Sequence, residues 1–216
     1  MSQPNLNNEI ELWSKGFTVI GIDEVGRGAF AGPLFAAGVV FTPTKNQKLI
    51  TKLLSYGIND SKKLSATNRE ALDKVIRKVA YAFYISQISV AEINRIGIGK
   101  ANMKAMRKVV KNLIPKIQAP SAKRQVFVLV DGLKVKKFRG VAQRSIIGGD
   151  SISLSIAAAS IIAKVARDKY MRELSEQYTE FAWDENKGYG TLEHRSILKL
   201  HGPTIHHRTQ FVTNSI

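Results

Sequence analysis

Four acidic residues stand where a solvated surface does not account for them. Asp23 and Glu24 follow directly on the apolar run 17–22, Asp131 closes the apolar run 126–130, and Asp150 lies between Gly148-Gly149 and a long apolar stretch. In open sheets, sites gather at the carboxyl ends of strands and the starts of helices. Carboxylates brought together there repel one another unless a cation neutralises them. Hard divalent ions favour such all-oxygen sites, and Mg²⁺ commonly binds through few carboxylates plus substrate phosphates. Singly, two of these residues have simpler readings: Asp131-Gly132 as a turn and Asp150 as a helix N-cap. The adjacent pair Asp23-Glu24 is harder to reduce. Neighbouring side chains on an extended backbone diverge, so one of the two tends to point inward. On pattern alone, a metal site and a set of unrelated acidic residues both stay open.

The glycine-rich segment beside that pair offers a second kind of chemistry. Gly26-Arg27-Gly28-Ala29-Phe30-Ala31 has the formal spacing of a dinucleotide loop, but that motif needs a helix next and an acidic ribose ligand about 20 residues on. Here Gly32-Pro33 and a strand-like run follow, and no Asp or Glu occurs between Glu24 and Asp60. A phosphate-loop reading around Gly99-Lys100 fails too, because Asn94 and Ala101 occupy the positions of the first Gly and the Ser/Thr. The glycines can instead let backbone amides approach a sugar-phosphate closely, with Arg27 at hand. The 33 Lys+Arg against 17 Asp+Glu, a formal net charge of +16, point to a polyanionic partner. Carboxylates able to hold metal, a glycine loop and a basic surface together suggest phosphodiester cleavage.

The elements that must position these residues are mixed. Residues 17–22, 34–41, 83–89 and 126–130 are predicted strands. Helical spacing of Leu72, Val75, Ile76 and Val79 predicts a helix over 66–80, and Met103, Met106, Val110 and Leu113 predict one over 100–114, with Pro115 and Pro120 marking a loop. A long buried helix is predicted over 151–170, and a further one over 192–200 before Gly202-Pro203. Strands interspersed with helices imply an α/β or α+β architecture. The 216 residues, 44% hydrophobic, read as one continuous domain over 1–216. Residues 1–14 are expected to be a loose terminus, and the C-terminal third is the more helical part, a candidate separate lobe. Residues 1–13 lack the basic start and apolar core of a signal peptide, and the stretch 152–163 is too short and too serine-rich to span a bilayer. Absence of cysteine excludes disulfide scaffolds, thiol nucleophiles and Cys-ligated zinc. The expectation is a soluble cytoplasmic protein.

Several ordered motifs resemble the bacterial ribonuclease HII family, the type 2 ribonucleases H. They are Gly21-Ile-Asp-Glu-Val-Gly-Arg-Gly28 with Ala31-Gly-Pro33, Asp60-Ser-Lys-Lys-Leu64, Val130-Asp131-Gly132, Gly149-Asp150 with 155–164 and Arg167-Asp168, Lys187-Gly-Tyr-Gly-Thr191 with His194, and Gly202-Pro203 with His207-Arg208. Gly26-Arg27-Gly28 differs from the Gly-Thr-Gly of the sister ribonuclease HIII. Asn186, where the family often has His, and the acidic Asp184 and Glu185 are departures that bear on substrate affinity. The resemblance implies an RNase H-like α/β fold, with a central mixed five-stranded sheet flanked by helices and a helical C-terminal part beyond about residue 170. It implies hydrolysis of RNA in RNA/DNA hybrids and incision 5′ of single ribonucleotides in duplex DNA, in replication and repair, by a monomer using two Mg²⁺ or Mn²⁺ ions. It assigns Asp23, Glu24, Asp131 and Asp150 to the metals. Gly26, Arg27 and Gly28 take the ribose 2′-OH and the RNA–DNA junction, and Tyr189 stacks on the adjoining deoxyribose. Ser61, Lys62, Ser160 and Lys164 contact phosphates.

Two other readings predict different behaviour. In a metal-independent ribonuclease, histidines would drive attack by the 2′-OH, but His194, His201, His206 and His207 all lie near the C-terminus and read mainly as surface or structural groups. A basic nucleic-acid-binding protein without catalysis would not turn over a hybrid. The run 134–139 (KVKKFR) is both a candidate phosphate-contacting loop and a candidate solvated face.

Overall fold

The computed structural model describes residues 3–117, 125–132, 138 and 140–213. In chain order these hold α1 (Asn7–Ser14), β1 (Phe17–Val25), β2 (Leu34–Val40), α2 (Gln47–Ser55), α3 (Ala66–Val79), β3 (Ala82–Ile88), α4 (Val90–Ile96) and α5 (Ile98–Ile117). There follow β4 (Gln125–Asp131), β5 (Ala142–Ile146), α6 (Leu154–Ser175), α7 (Trp183–Asn186), α8 (Leu192–His201) and α9 (Thr209–Val212). The sheet order is β3-β2-β1-β4-β5, with β1, β4 and β5 parallel and β2 and β3 antiparallel to their neighbours. It is a mixed five-stranded sheet with helices on both faces, as the resemblance implies.

Strand alternation divides β1 between two cores. Val19 packs with α1, α3 and α6, whereas Ile20 and Ile22 pack with α4 and α5. The long helix α6 lies so close to β1 that a Cβ on Gly21 would sit 2.3 Å from the Ser155 backbone. Only glycine permits that approach, and the approach is what brings the later residues of α6 alongside the carboxyl end of β1. A third apolar cluster joins Phe30 and Ala31 to Met171, Phe181, Trp183, Leu198 and Val212, so the helical C-terminal part is anchored on the segment that follows β1.

Three expectations are corrected. The N-terminus is not loose over its whole length: residues 7–14 form α1, with Leu12 and Trp13 buried and Glu9 fully buried. Burying those two apolar side chains is worth roughly 1.5–3 kcal/mol each, which fixes a segment whose composition is otherwise polar. Pro115 does not mark a loop but lies inside α5, which runs on to Ile117. So near a helix end, the lost i→i−4 bond costs little continuity. Asp150 is not the N-cap of the long helix. It lies in a 3₁₀ turn, and Ser153 caps α6 by accepting from the Ile156 amide. The helices 47–55 and 90–96 and strand β5 had no counterpart in the sequence-based reading. Pro120 and all of the run 134–139 except Phe138 lie outside the described residues.

Candidate active site

Sheet register builds the carboxylate cluster. β1 and β4 are parallel, with Ile22 opposite Val130, so Asp23 and Asp131 emerge side by side at the carboxyl ends of adjacent strands. Asp131 then accepts a 2.7 Å hydrogen bond from the Gly149 amide, and this draws the turn carrying Asp150 onto the same strand ends. One oxygen each from Asp23, Asp131 and Asp150 lies within 4.8 Å of the others. Glu24 is displaced by the alternation of β1, and it interacts with Asn102 of α5 while Asp23 bonds Ser160 of α6. The diverging pair therefore faces both layers, and both residues line one cleft.

That cleft, of about 470 Å³, is lined by Asp23, Glu24, Asp131, Gly26, Arg27, Gly28, Ser61, Lys62, Ser160, Lys164 and Tyr189, together with Val25. All twelve residues proposed from the sequence thus converge, Asp150 through its oxygen contact with Asp23 and Asp131.

Charge is poorly balanced here. Burial, reinforced by Glu24 and opposed by the Ser160 hydrogen bond, pushes Asp23 well above the ordinary carboxylate range. Burial also raises Glu24, against the pull of Arg27, whose guanidinium lies 3.7 Å from Oε1. Asp150 is raised by burial, then by Asp60 and Asp131, with Lys62 at 3.7 Å in opposition. Partial burial pulls Lys62 down, but Asp150, Asp60, Asp23 and Asp131 together outweigh it and hold its ammonium above the ordinary value. A concentration of desolvated oxygens that mutual repulsion drives towards protonation is the donor set a hard divalent cation relieves. The residues present fit such an ion.

Residues outside the twelve help to hold the rim. Asp60 Oδ1 accepts from the Lys62 amide, and Ser61 Oγ lies 3.0 Å from Ser160 Oγ. Buried Asp168 takes Lys164 Nζ at 2.6 Å and Arg69 at 3.7 Å, while Arg69 also donates to the Ser61 carbonyl. Burial lowers Lys164 despite that Asp168 bond. Asp60 and Asp168 were visible as motif members, but their work is spatial. Asn102 carries no sequence signal at all.

Tyr189 stands on an ordered support. Asn186 donates to the Phe181 carbonyl and accepts from the Gly188 amide, both at 2.7 Å, so it clamps the turn before Tyr189. Trp183 Nε1 donates to His194 Nε2, which fixes His194 as the Nδ1–H tautomer donating to the Tyr189 carbonyl at 2.9 Å. The Thr204 amide donates to His207 Nδ1, so His207 carries its proton on Nε2 and donates it to His194 at 3.1 Å. Both rings are neutral and fully buried or nearly so, in keeping with a structural reading of these two histidines; His201 is exposed.

An RNase H-like nuclease fold is what this sheet and its flanking helices define. The ribonuclease HII in the PCNA:RNase HII complex from Archaeoglobus fulgidus superposes with a TM-score of 0.71 at 26% identity, over 90% of this chain and 95% of that one. Bst-RNase HIII in complex with Mn²⁺ shares the fold, with a TM-score of 0.69 at 18% identity over 93% of this chain and 69% of that one. The family model for ribonuclease HII matches residues 20–214. A ribonuclease HII from Wolbachia sp. subsp. Brugia malayi is 47% identical over 98% of this chain and 94% of its own length, and one from Cytophaga hutchinsonii is 40% identical over 94% and 93%. The chain belongs to the ribonuclease HII family. It is a ribonuclease H, a hydrolase acting on RNA/DNA hybrids. Among the described residues, no helix is long and apolar enough to cross a membrane.

Proposed function

We propose that this enzyme, besides hydrolysing the RNA strand of hybrids, incises duplex DNA 5′ of a single embedded ribonucleotide, leaving 5′-phosphate and 3′-hydroxyl ends. The observation that supports this most is the convergence of the carboxylate cluster, the glycine loop and Tyr189 on one cleft. Asp23, Glu24, Asp131 and Asp150 would hold divalent cations, Mg²⁺ or Mn²⁺, two of them during catalysis. When bound, such ions supply Lewis acidity for activating water and stabilising the leaving 3′-oxygen.

The chain's own residues do the rest. Gly26, Arg27 and Gly28 bring backbone amides against the ribose, whose 2′-OH distinguishes RNA from DNA. Tyr189 stacks on the adjoining deoxyribose and fixes which side of the ribonucleotide is presented. Ser61, Lys62, Ser160 and Lys164 receive phosphates along the cleft floor. The Arg27–Glu24 ion pair ties the loop that reads the sugar to a carboxylate of the cluster. Water as nucleophile leaves the 2′-OH as a handle for recognition, and site groups left unpaired by deoxyribose would make discrimination large. We assign the enzyme to the cytoplasm, as a monomer, in ribonucleotide excision during replication and repair.

Incision of a duplex containing one ribonucleotide, with and without chelator, tests the reading. Chelator-sensitive cleavage with 5′-phosphate products is expected. Chelator-resistant cleavage through a 2′,3′-cyclic phosphate would replace it with histidine-driven attack, and no turnover on any hybrid would leave only binding.

A further inference from the structure

Behind the 26–28 loop lie two fully buried guanidiniums, Arg167 and Arg208, both 0% exposed. The hydrogen bonds they make go to backbone carbonyls of the cleft rim. Arg167 donates from Nε to Pro33, from Nη2 to Ala31 and from Nη1 to Lys187, and its Cζ stands 5.3 Å from the centre of the Tyr189 ring. Arg208 donates from Nε to Gly32 at 2.9 Å, and from Nη1 to Gly26 at 2.6 Å and Arg27 at 3.1 Å. Among the described residues neither makes an ion pair, since neighbouring Asp168 is taken by Lys164 and Arg69. Arg208 Nη2 is buried with no partner. Burial and the charge of Arg167 push Arg208 down to about 9, so it stays protonated at neutral pH.

Two buried cations without a carboxylate are costly, and a fold keeps them where their geometry does something else. Here they shape the loop. Gly26 has φ +86°, and a Cβ on it would sit 2.1 Å from Arg167 Nε, so the loop lies directly against that side chain. In a trans peptide the N–H points opposite the C=O, and there is no cis bond here. Carbonyls of Gly26 and Arg27 turned back onto Arg208 therefore turn the amides of Arg27 and Gly28 away from it. Neither amide donates within the chain among the described residues. Carbonyls polarised by a guanidinium make their own peptide N–H groups better donors.

We infer that Arg167 and Arg208 are positioning residues for ribose selectivity: through the carbonyls of Gly26, Arg27 and Lys187 they aim the free amides of the 26–28 loop and the Tyr189 ring at one sugar. The inference rests on the proposed reading of that loop. Lysine keeps the charge but cannot hold several carbonyls in one plane, so Arg208→Lys and Arg167→Lys are the informative variants.

The measurement is the KM for a duplex with one ribonucleotide against the inhibition constant of the same duplex made wholly of DNA. For the unaltered enzyme KM is expected to lie well below that constant. Arg208→Lys should raise KM at least tenfold and leave the all-DNA inhibition constant within about twofold, since phosphate contacts are untouched; Arg167→Lys should do the same and weaken any benefit of Tyr189. A parallel rise of both constants, an unchanged ratio, or loss of cooperative melting in both variants would make the arginines general braces and overturn the inference. If the unaltered enzyme itself shows no preference for the ribonucleotide duplex, the loop does not read the sugar, and the failure belongs to the proposed function.

Discussion

The two walls of the cleft are electrically opposite and incomplete in opposite senses. On one, Asp23, Asp131 and Asp150 crowd oxygens within 4.8 Å, and burial with mutual repulsion raises Asp23 and Asp150 towards the neutral form. On the other, buried Arg167 and Arg208 donate to carbonyls, lie over the Tyr189 and Phe211 rings, and leave amides facing outward. In the proposed reading the first wall is completed by cations and the second by hydroxyl or phosphate oxygens. A nucleic acid that brings phosphate and ribose together can complete both at once. Neither wall is a rigid store of stability; each is a site because the fold holds like charges together against their tendency to separate.

The largest expected effect breaks the acidic wall alone. Asp23→Asn removes the charge of the proposed central ligand and should lower cleavage by roughly 10³-fold or more, while affinity for the hybrid, carried by the phosphate contacts and the 26–28 loop, survives. Single-turnover rates beside equilibrium binding check this; near-normal activity removes Asp23 from the centre of the comparison. A smaller effect concerns the opposite wall. Tyr189→Ala should cost about 1–3 kcal/mol of stacking, a loss of roughly 5- to 150-fold in kcat/KM at single ribonucleotides. Equal rates for the two proteins on that substrate would separate Tyr189 from the reading of the sugar.

The smallest expected effect sharpens the comparison by testing what supports the second wall. His207 is held down to about 4 by burial and by the neighbouring His194 and His206. Between about 6.5, its ordinary value, and 4, the unfolded chain binds the proton and the native chain does not. The contribution to stability is therefore intact above 6.5 and lost as pH falls through that window, on the order of 3 kcal/mol in all. Thermal melts from pH 7.5 to 4.5 should decline more steeply for the unaltered enzyme than for His207→Gln. Parallel curves would mean that the His194–His207 pair is not the acid-sensitive support of Tyr189.

Much of the acidic wall is legible in the sequence because its residues abut strong local signals. Asp23 follows an apolar run within β1, Asp131 ends β4, and Asp150 precedes an apolar helix. The supports are much less so. Arg167 and Arg208 stand in family-like motifs, but nothing local marks them among the 33 Lys and Arg as buried, and their partners lie 20 to more than a hundred positions away. Glu9 is similar: it accepts from Ser153 and Ser155 at the start of α6, so a segment that reads as polar and loose is pinned beside Asp150. Strand β5 was missed because an edge strand of sequence AQRSI shows no apolar alternation.

By itself the sequence determined the strong strands and helices, the order of the motifs and the residue types able to bind metal and sugar, since these depend on chemistry and on propensities acting over a few residues. Tertiary structure decided which of these residues come together. The register of β1 on β4 set Asp23 beside Asp131, and the Gly149 amide made Asp131 an acceptor that draws in Asp150. The buried guanidinium of Arg208 holds the carbonyls of the glycine loop. Such encounters join residues distant in the chain, and only packing the sheet against its helices fixes their distances.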